Sequence, residues 1–404
     1  MAEDRFTEVT TKGYGSRLLS ALGGIVGGFV LFFGAFALLF WNEGRVDMSL
    51  IAKEAQELPS TERNAELDGK LVYTTGTLAT DQLIGDGMYL QDGEYVSVKR
   101  VVEMYAWEEK TESKSDTKLG GSEETTMTYT YGKDWTGSPS KSSNFKKPEG
   151  HSNPSLGIKG DVYTVNRATI GLYTVDPSKA GTPEYDSLSL TPANTVLGTP
   201  PQSVSASGAV LAGSGSTLDT ASGATINGDL PRLISNFIYL GNGTLTNPQV
   251  GDIRISYEVA RPGSEVTVIG KLSGDKITTF SDGKNSLYTL QSGTFEEAVQ
   301  GMAASHSTMG WVWRVVGFFM MWIGMTTIFS PLSVLLDVLP FLGSISRGVV
   351  SGVTFVVALV LTIITILLSM IVHNIFLLIL IALAGLGIVF YVIKMKGQKV
   401  EVSK

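Results

Sequence analysis

Few side chains in this 404-residue chain have the types and spacing that catalysis needs. It contains no Cys and three His, His151, His306 and His373, which excludes thiolate nucleophiles, disulfides and cysteine metal sites. No second His or Cys lies near His151, and neither a GxSxG nucleophile elbow nor a glycine-rich phosphate loop with its lysine is present. We therefore interpret His151 as a structural residue that caps a turn before Pro154, and we predict no catalytic residue, cofactor or metal site.

Carboxylate pairs are the remaining residues that could act as acid and base. Glu108 and Glu109, and Glu123 and Glu124, are adjacent in sequence. Such pairs are more often solvated charge on a hairpin than catalytic machinery. An enzyme site built from Asp and Glu stays an alternative to which no residue can be assigned, and we predict that the protein is not an enzyme.

Two overlapping pairs of glycines, Gly23 with Gly27 and Gly24 with Gly28, lie one helical turn apart in an apolar segment. This spacing lets two helix backbones approach closely in lipid. We expect these four residues to mediate helix packing. They serve either self-association or packing against the C-terminal helices of the same chain.

A second group of candidates marks the ends of apolar segments, where charged and aromatic side chains reach the membrane interface. We assign five residues to this group: Glu43, Arg45, Trp311, Trp313 and Arg314. Arg314 lies just inside an apolar segment, where a charge is costly. It either extends toward the interface or forms an ion pair with Glu43.

The elements that must position these residues are long uncharged segments. Residues 18–42 carry no Asp, Glu, Lys or Arg and suffice to span roughly 30 Å of hydrocarbon. Residues 348–393 are also uncharged, and as one helix they would measure roughly 69 Å, so they must fold back near His373. We predict four transmembrane helices, one N-terminal and three within residues 309–393, at residues 18–42, 311–329, 349–370 and 375–392.

Two details of the membrane region have alternatives. Ala35-Phe36-Ala37 resembles a signal-peptide cleavage site, but the apolar run continues past it through Trp41, which favours a retained helix. Ser330-Pro331 and the following Leu spacing predict an amphipathic helix over residues 331–342 on the cytoplasmic face, with Asp337 toward water. The alternative is an extension of the preceding helix.

Lys and Arg flanks predict the orientation. They precede the first span and follow the last, so we expect residues 1–17 and 394–404 to be cytoplasmic tails. The segment between the first two spans, residues 43–308, would then lie on the opposite side. The whole chain has a formal net charge of −7. It therefore offers no basic stripe that could bind the phosphates of a nucleic acid.

Residues 43–308 form a β-rich domain by pattern, with short Val, Tyr and Thr runs separated by Gly and Asp. Five residues of GKLVYTTGTLATD recur at the same spacing in GSEVTVIGKLSGD, so residues 69–91 and 263–291 predict two related small β-units, unless the recurrence is chance. Residues 196–227 are rich in Gly and Ser and predict a long loop. Thr294 and Glu297 form a capping box that starts a helix leading into the second span.

The chain resembles the transmembrane protein 43 (LUMA) family from its first span to its last. The resemblance rests on the following segments: Asn42-Glu43-Gly44-Arg45, Val102-Glu103-Met104-Tyr105-Ala106-Trp107, Tyr131 with Trp135, Asn144-Phe145, Gly150-His151, Asn153-Pro154-Ser155 and Gly251-Asp252-Ile253-Arg254. The Gly/Ser-rich middle segment does not match. The resemblance implies a membrane-organising protein without assigned catalytic residues, located in the endoplasmic reticulum or inner nuclear membrane of animals, and in the cytoplasmic membrane of a prokaryote. We expect a prokaryotic member.

Besides an enzyme, three functional classes remain. The leading prediction is a non-enzymatic membrane scaffold that forms homo-oligomers and binds other membrane proteins, because the spans carry few polar groups. A channel or transporter subunit would need a polar lumen or broken helices. A membrane-anchored receptor or signalling component is the third possibility. Besides the lipid bilayer, no partner can be identified from the sequence.

Overall fold

The computed structural model describes residues 4–197, 231–338, 340–374, 379 and 383. Residues 198–227 of the predicted loop and, apart from residues 379 and 383, the predicted fourth span lie outside the described residues. The helices are α1 Tyr14–Glu43, α2 Met48–Ala52, α3 Pro177–Ala180, α4 Phe295–Leu336 and α5 Pro340–His373. The strands are β1 Asp4–Lys12, β2 Gln56–Glu57, β3 Leu71–Ala79, β4 Ser97–Thr117, β5 Glu123–Thr136, β6 Asp161–Thr164, β7 Ala168–Ile170, β8 Tyr173–Val175, β9 Asp186–Ser187, β10 Arg232–Ile234, β11 Phe237–Leu240, β12 Ile253–Ala260, β13 Glu265–Ser273, β14 Lys276–Thr278, β15 Phe280–Ser281, β16 Ser286–Leu287 and β17 Thr289–Ser292.

The chain divides into two compact units. The first, the β-rich unit, comprises Met1–Thr7, Met48–Glu112 and Met127–Ala303. The second, the helical unit, comprises Glu8–Asp47, Ser113–Thr126 and Ala304–Lys404.

Five strands of the β-rich unit close into a barrel. The ring runs β3, β7, β8, β14, β13 and back to β3, and every pair in it is antiparallel except β8 with β14, which is parallel. Numbered along the chain, this order is 1-2-3-5-4-1, the connectivity of an OB-type barrel. Its interior is filled by small and branched apolar side chains, including Val72, Ile170, Val268 and Leu272, which suit the pleated wall of a narrow barrel.

The two copies of the internal repeat are neighbouring strands of this one barrel. β3 and β13 pair so that Val72 lies opposite Gly270 and Gly76 lies opposite Val266. Because Gly270 and Val266 are the repeat counterparts of Gly76 and Val72, the copies are related by a local two-fold axis. The prediction that the copies form two separate β-units is therefore not confirmed.

A second sheet is built from β1, which precedes the barrel, and from two insertions into the barrel sequence. Its main order is β1-β5-β4-β12-β11-β10, with β6 paired to β4 and β9 paired to β12. Residues 253–260 of β12 alternate in burial, so Ile253, Ile255, Tyr257 and Val259 point into a second apolar core, as the two-residue period of a strand requires. The two β modules are thus the barrel and this sheet.

A buried carboxylate, Asp86, organises a turn that follows β3 within the first repeat segment. Asp86 Oδ1 accepts N–H groups from Met88, Tyr89 and Leu90 at 2.8–2.9 Å, while Oδ2 accepts the Tyr257 hydroxyl at 2.5 Å and the Arg100 guanidinium at 3.0 Å. Burial by itself would raise the pKa of the Asp86 carboxyl, but these hydrogen bonds outweigh burial and lower it. The burial and the neighbouring Asp86 charge raise the pKa of the Tyr257 hydroxyl, so it remains a donor.

The helical unit contains three described helices that are long and apolar enough to cross a membrane, within Tyr14–Ala52, Phe295–Leu336 and Arg347–His373. They contain the first three predicted spans. The predicted capping box is present, because the Thr294 N–H and hydroxyl both lie within 3.0 Å of Glu297 Oε2. The helix that it starts continues without a break into the second span as α4.

Two local predictions are corrected by the structure. No separate amphipathic helix occupies residues 331–342, because α4 continues through Pro331 to Leu336 and α5 begins at Pro340. Pro331 is accommodated inside a helix by neighbouring groups, as in many membrane helices. Asp337, expected to face water, is fully buried, because two arginines bind it.

The N-terminal residues also differ from the expectation of a tail. Residues Asp4–Lys12 form β1, which pairs with β5 at the edge of the second sheet, and α1 begins at Tyr14. Most β1 side chains are exposed, so the sequence shows no alternating apolar pattern that would predict a strand. Hydrogen-bonded strands cannot be separated by a bilayer, so this pairing conflicts with placing residues 4–12 across the membrane from β5.

Candidate functional site between the membrane helices

The glycines of α1 divide into two faces. Gly28 packs directly against α4, since a Cβ at this position would lie 2.8 Å from the Gly324 carbonyl oxygen and 2.9 Å from Ile328. A Cβ at Gly324 would lie 2.7 Å from the Phe32 backbone nitrogen, and one at Gly24 would lie 3.3 Å from Thr327. Backbone therefore meets backbone at this seam, and Gly24 and Gly28 serve packing within the chain, one of the two roles predicted from sequence.

The other face of α1 has no partner among the residues that the structure describes. A Cβ added at Gly23 or Gly27 would meet nothing within 4 Å there. The face is exposed and apolar around them, with Leu19, Val26 and Val30 between 68 and 72% accessible. It can contact lipid chains or another helix.

Glu43 and Arg314 form a bidentate ion pair where α1 ends. Arg314 Nε and Nη2 donate to the two Glu43 carboxylate oxygens, each at 2.8 Å, the parallel geometry that favours Arg with carboxylate. The Glu43 side chain is 5% exposed and that of Arg314 is 26% exposed. Of the two alternatives for Arg314, the structure contains the ion pair.

The other interface residues surround this pair. The Arg314 guanidinium lies 5.1 Å from the centre of the Trp311 ring, and Trp313 packs edge-to-face on Trp41. Arg45 Nη2 donates to the His306 carbonyl at 3.1 Å. All five residues that the sequence assigned to the interface therefore lie at the same end of the helical unit.

A second charge cluster, at the opposite end of the helices, was missed from sequence. Arg17 at the start of α1 donates to Asp337 Oδ2 at 2.5 Å and to the Gly121 carbonyl at 2.6 Å, and it pairs with Glu123 at 2.9 Å. Arg347 in α5 donates to the same Asp337 oxygen at 3.0 Å. One signal in the sequence could have revealed the cluster. Arg17, Asp337 and Arg347 are each the charged residue that borders a long apolar segment.

Polar contacts also join α4 to α5 inside the apolar region. The Trp322 indole N–H donates to the Ser351 carbonyl at 3.1 Å, and the Thr326 and Thr354 hydroxyls lie 2.9 Å apart. Phe355 packs edge-to-face on Trp322. Such hydrogen bonds contribute modestly to helix association in lipid, and they fix the register of the two helices.

His151 lies in the β-rich unit, and polar and aromatic neighbours hold its imidazole ring. Its Nδ1 lies 2.8 Å from the Lys147 carbonyl and its Nε2 lies 2.8 Å from the Asp4 carboxylate, while Trp107 and Tyr131 pack on the ring. Both ring nitrogens therefore lie within hydrogen-bond distance of an acceptor oxygen. This position ties β1 to the sheet and agrees with a structural role.

Three of the four glutamates in these two pairs make structural contacts. Glu109 Oε2 accepts the Tyr131 hydroxyl at 2.7 Å and the Lys146 N–H at 2.6 Å, and burial together with this carboxylate raises the pKa of Tyr131 to about 12. Glu123 pairs with Arg17 and Glu124 with Lys118. Within the described part of the chain, no group of three His, Cys, Asp or Glu residues could hold a metal ion.

Comparisons with known proteins agree with the membrane architecture. The sequence model of the family described as Transmembrane protein 43 matches residues 104–375, more than half of the chain. The chain is 28% identical to Transmembrane protein 43 of Homo sapiens over 375 residues, covering 88% of this chain and 85% of the human protein. It is 26% identical to the Drosophila melanogaster homolog over 315 residues, covering 74% of each chain.

The organisms of these relatives bear on the expectation that the chain is prokaryotic. They are animal proteins, as is the Rattus norvegicus protein, which is 26% identical over 381 residues and covers 90% of this chain and 87% of its own. The comparisons give no support to a prokaryotic origin. No solved structure matches the chain. Because the family model covers most of the residues that form both units, the chain belongs to the transmembrane protein 43 family.

Proposed function

We propose that this protein is a non-enzymatic membrane scaffold that organises membrane complexes and forms homo-oligomers through α1. The observation that carries the proposal is the apolar face around Gly23 and Gly27, which no residue in the described part of the chain covers, whereas Gly24 and Gly28 pack against α4. A small-residue face lets a second helix approach to backbone contact, where dispersion and weak hydrogen bonds replace the hydrophobic effect.

The distribution of charge supports a scaffold over a channel. Residues 18–42, 315–336 and 348–372 contain no Asp, Glu, Lys, Arg or His, so the ionisable groups of the described helices lie toward their ends. A conducting pathway usually requires polar groups along its length. Ion flux through proteoliposomes that is lost when α1 is altered would contradict the scaffold and favour a channel subunit.

The oligomer is tested by two matched double variants on one helix. Gly23→Ile with Gly27→Ile places bulky side chains on the open face, and we expect the mass of the purified protein in mild detergent to fall to that of a monomer with unchanged thermal stability. Gly24→Ile with Gly28→Ile places the same side chains in the seam with α4, and we expect reduced thermal stability. A monomeric parent protein, or unchanged oligomer mass in the first variant, would overturn the proposal.

The proposal places both termini in the cytoplasm and the β-rich domain on the opposite side of the membrane. The Lys residues that follow the last apolar segment support this orientation. The pairing of β1 with β5 opposes it for residues 4–12. The specific membrane, endoplasmic reticulum or inner nuclear membrane, comes only from the resemblance of the chain to its family.

The absence of Cys allows a direct test of this orientation. Single substitutions Lys284→Cys, Ser403→Cys and Thr10→Cys are exposed to a membrane-impermeant maleimide in sealed vesicles. The proposal expects labelling of positions 10 and 403 from one side and of position 284 from the other. Labelling of position 10 together with position 284 would reject the orientation and support the β1 pairing.

A further inference from the structure

A cleft of about 610 Å³ lies on the barrel wall of the β-rich unit, within the size range of small-molecule sites. It is lined by side chains from β8, β14 and the segments beside them, principally Arg167, Asp176, Lys179, Lys276, Thr279 and Tyr288. β8 and β14 pair through Thr174 and Lys276. The cleft therefore sits at the parallel seam that closes the ring.

The cleft is positively charged although the whole chain is acidic. Its lining holds three cations and one carboxylate, Asp176. Asp176 is already engaged by Lys179 at 3.0 Å and by the Ser178 hydroxyl at 2.5 Å, and Arg167 pairs with Asp81. Lys276 has no hydrogen-bond or ion-pair partner among the residues that the structure describes, so one positive charge remains without a counterion in the protein.

The cleft also offers hydrogen-bond donors without acceptors. The Tyr288 oxygen accepts the Asp176 N–H at 2.8 Å, and in the described part of the chain its own proton has no acceptor. Burial raises the pKa of this hydroxyl, so it stays a donor. A ligand that fits such a surface carries acceptors and negative charge.

The position of the cleft agrees with how barrels of this connectivity are used. OB-type barrels bind ligands on the face of their second and third strands, flanked by the loop before the second strand and the loop between the fourth and fifth. Here Arg167 immediately precedes β7, the second barrel strand, and Lys276 immediately follows the turn between β13 and β14. This correspondence is a fold-level analogy. Anion binding is supported instead by the positive charge and the hydrogen-bond donors of the cleft.

We propose that this cleft binds the phosphate or carboxylate group of an acidic small molecule, with Lys276 and Tyr288 as its main contacts. The ligand is either free in solution or part of a lipid headgroup, since both present the same anion. This binding site is independent of the helix face proposed to mediate oligomerisation.

The test uses the full chain in nanodiscs of phosphatidylcholine, titrated with glycerol 3-phosphate and, separately, with citrate, by isothermal titration calorimetry. We expect saturable binding of at least one of these anions, weakened about tenfold by Lys276→Gln and several-fold by Tyr288→Phe. Lys284→Gln, an exposed lysine outside the cleft, is the matched control and should bind as the parent does. Circular dichroism and thermal stability of each variant verify that it is folded.

A second arm separates the two sources of the anion. The nanodiscs are rebuilt with phosphatidic acid, and crosslinking of a benzophenone introduced at Thr279 to lipid is measured. Crosslinking that depends on Lys276, without binding of the soluble anions, supports a lipid headgroup. Absence of both signals, or binding that Lys276→Gln and Lys284→Gln weaken equally, would overturn the proposal.

Discussion

Asp86 in the β-rich unit and Asp337 in the helical unit are both fully buried carboxylates, and the two units satisfy them in different ways. Asp86 lies in a turn and takes three N–H groups from the next four residues, besides Tyr257 and Arg100. Asp337 takes Arg17 and Arg347 on one oxygen. Its other oxygen, Oδ1, has no hydrogen-bond partner in the described part of the chain.

The two units obtain the hydrogen-bond donors for a buried carboxylate from different sources. A turn exposes free backbone N–H groups beside its first residue, so Asp86 is largely satisfied by its own neighbours. Asp337 directly follows the last residue of α4, and the free backbone groups at a helix C-terminus are carbonyls, so Asp337 depends on side chains from α1 and α5. Local sequence therefore supplies most of the Asp86 contacts and none of the Asp337 contacts.

Substitution Asp86→Asn should produce the largest effect. It leaves Arg100 buried without its counterion, and we expect a loss of about 3 kcal/mol or more in the unfolding free energy of the β-rich unit. Chemical denaturation followed by tryptophan fluorescence measures this loss. Asp282→Asn changes an exposed Asp that, like Asp86, precedes a Gly in its repeat copy and accepts backbone N–H groups. It should cause a much smaller change, and equal effects would contradict the comparison.

The lowered pKa of Asp86 predicts an acid-sensitive fold. A carboxyl whose pKa is lowered on folding contributes stability above its ordinary value near 3.8, and this contribution disappears as pH falls through the folded pKa. We expect thermal stability to decrease between about pH 5 and about pH 2. The decrease should be shallower in Asp86→Asn, and parallel pH profiles for parent and variant would reject this assignment.

Substitution Asp337→Asn should have a smaller effect. Arg17 keeps Glu123 and Arg347 is partly exposed, so we expect about 1–3 kcal/mol of destabilisation of the helical unit. Thermal denaturation in detergent measures it. Asp116→Asn, at an exposed residue with a long ion pair of 3.7 Å to Lys114, serves as the control and should be neutral.

The Glu43 and Arg314 pair gives the smallest predicted effect. A double-mutant cycle with Glu43→Gln and Arg314→Gln should give a coupling energy of about 1 kcal/mol, because the guanidinium is partly solvated. The same thermal measurement in detergent provides the four values. A coupling near zero would mean that Arg314 acts through its contact with Trp311 rather than through the carboxylate.

Particular residues show how far sequence reasoning reached. The capping box at Thr294 and the three described apolar helices follow from local rules, because caps and hydropathy depend on near neighbours. The contact of Arg314 with Glu43 was one of two alternatives that the sequence left open. Pro331 misled the prediction, since membrane helices tolerate proline where soluble helices usually end. β1 was missed because its exposed, polar residues carry no period-two pattern.

The sequence by itself determined the apolar helices, the strand-rich middle and the repeat, because each of these features depends on residues that are close together in the sequence. Only the tertiary structure decided that the repeat copies pair with each other, that Gly24 and Gly28 face Thr327 and Gly324, and that two arginines bind the buried Asp337. These outcomes depend on which distant surfaces meet. Side-chain contacts between residues far apart in sequence leave no periodic signal in one chain, so packing alone selects among the arrangements that the local pattern permits.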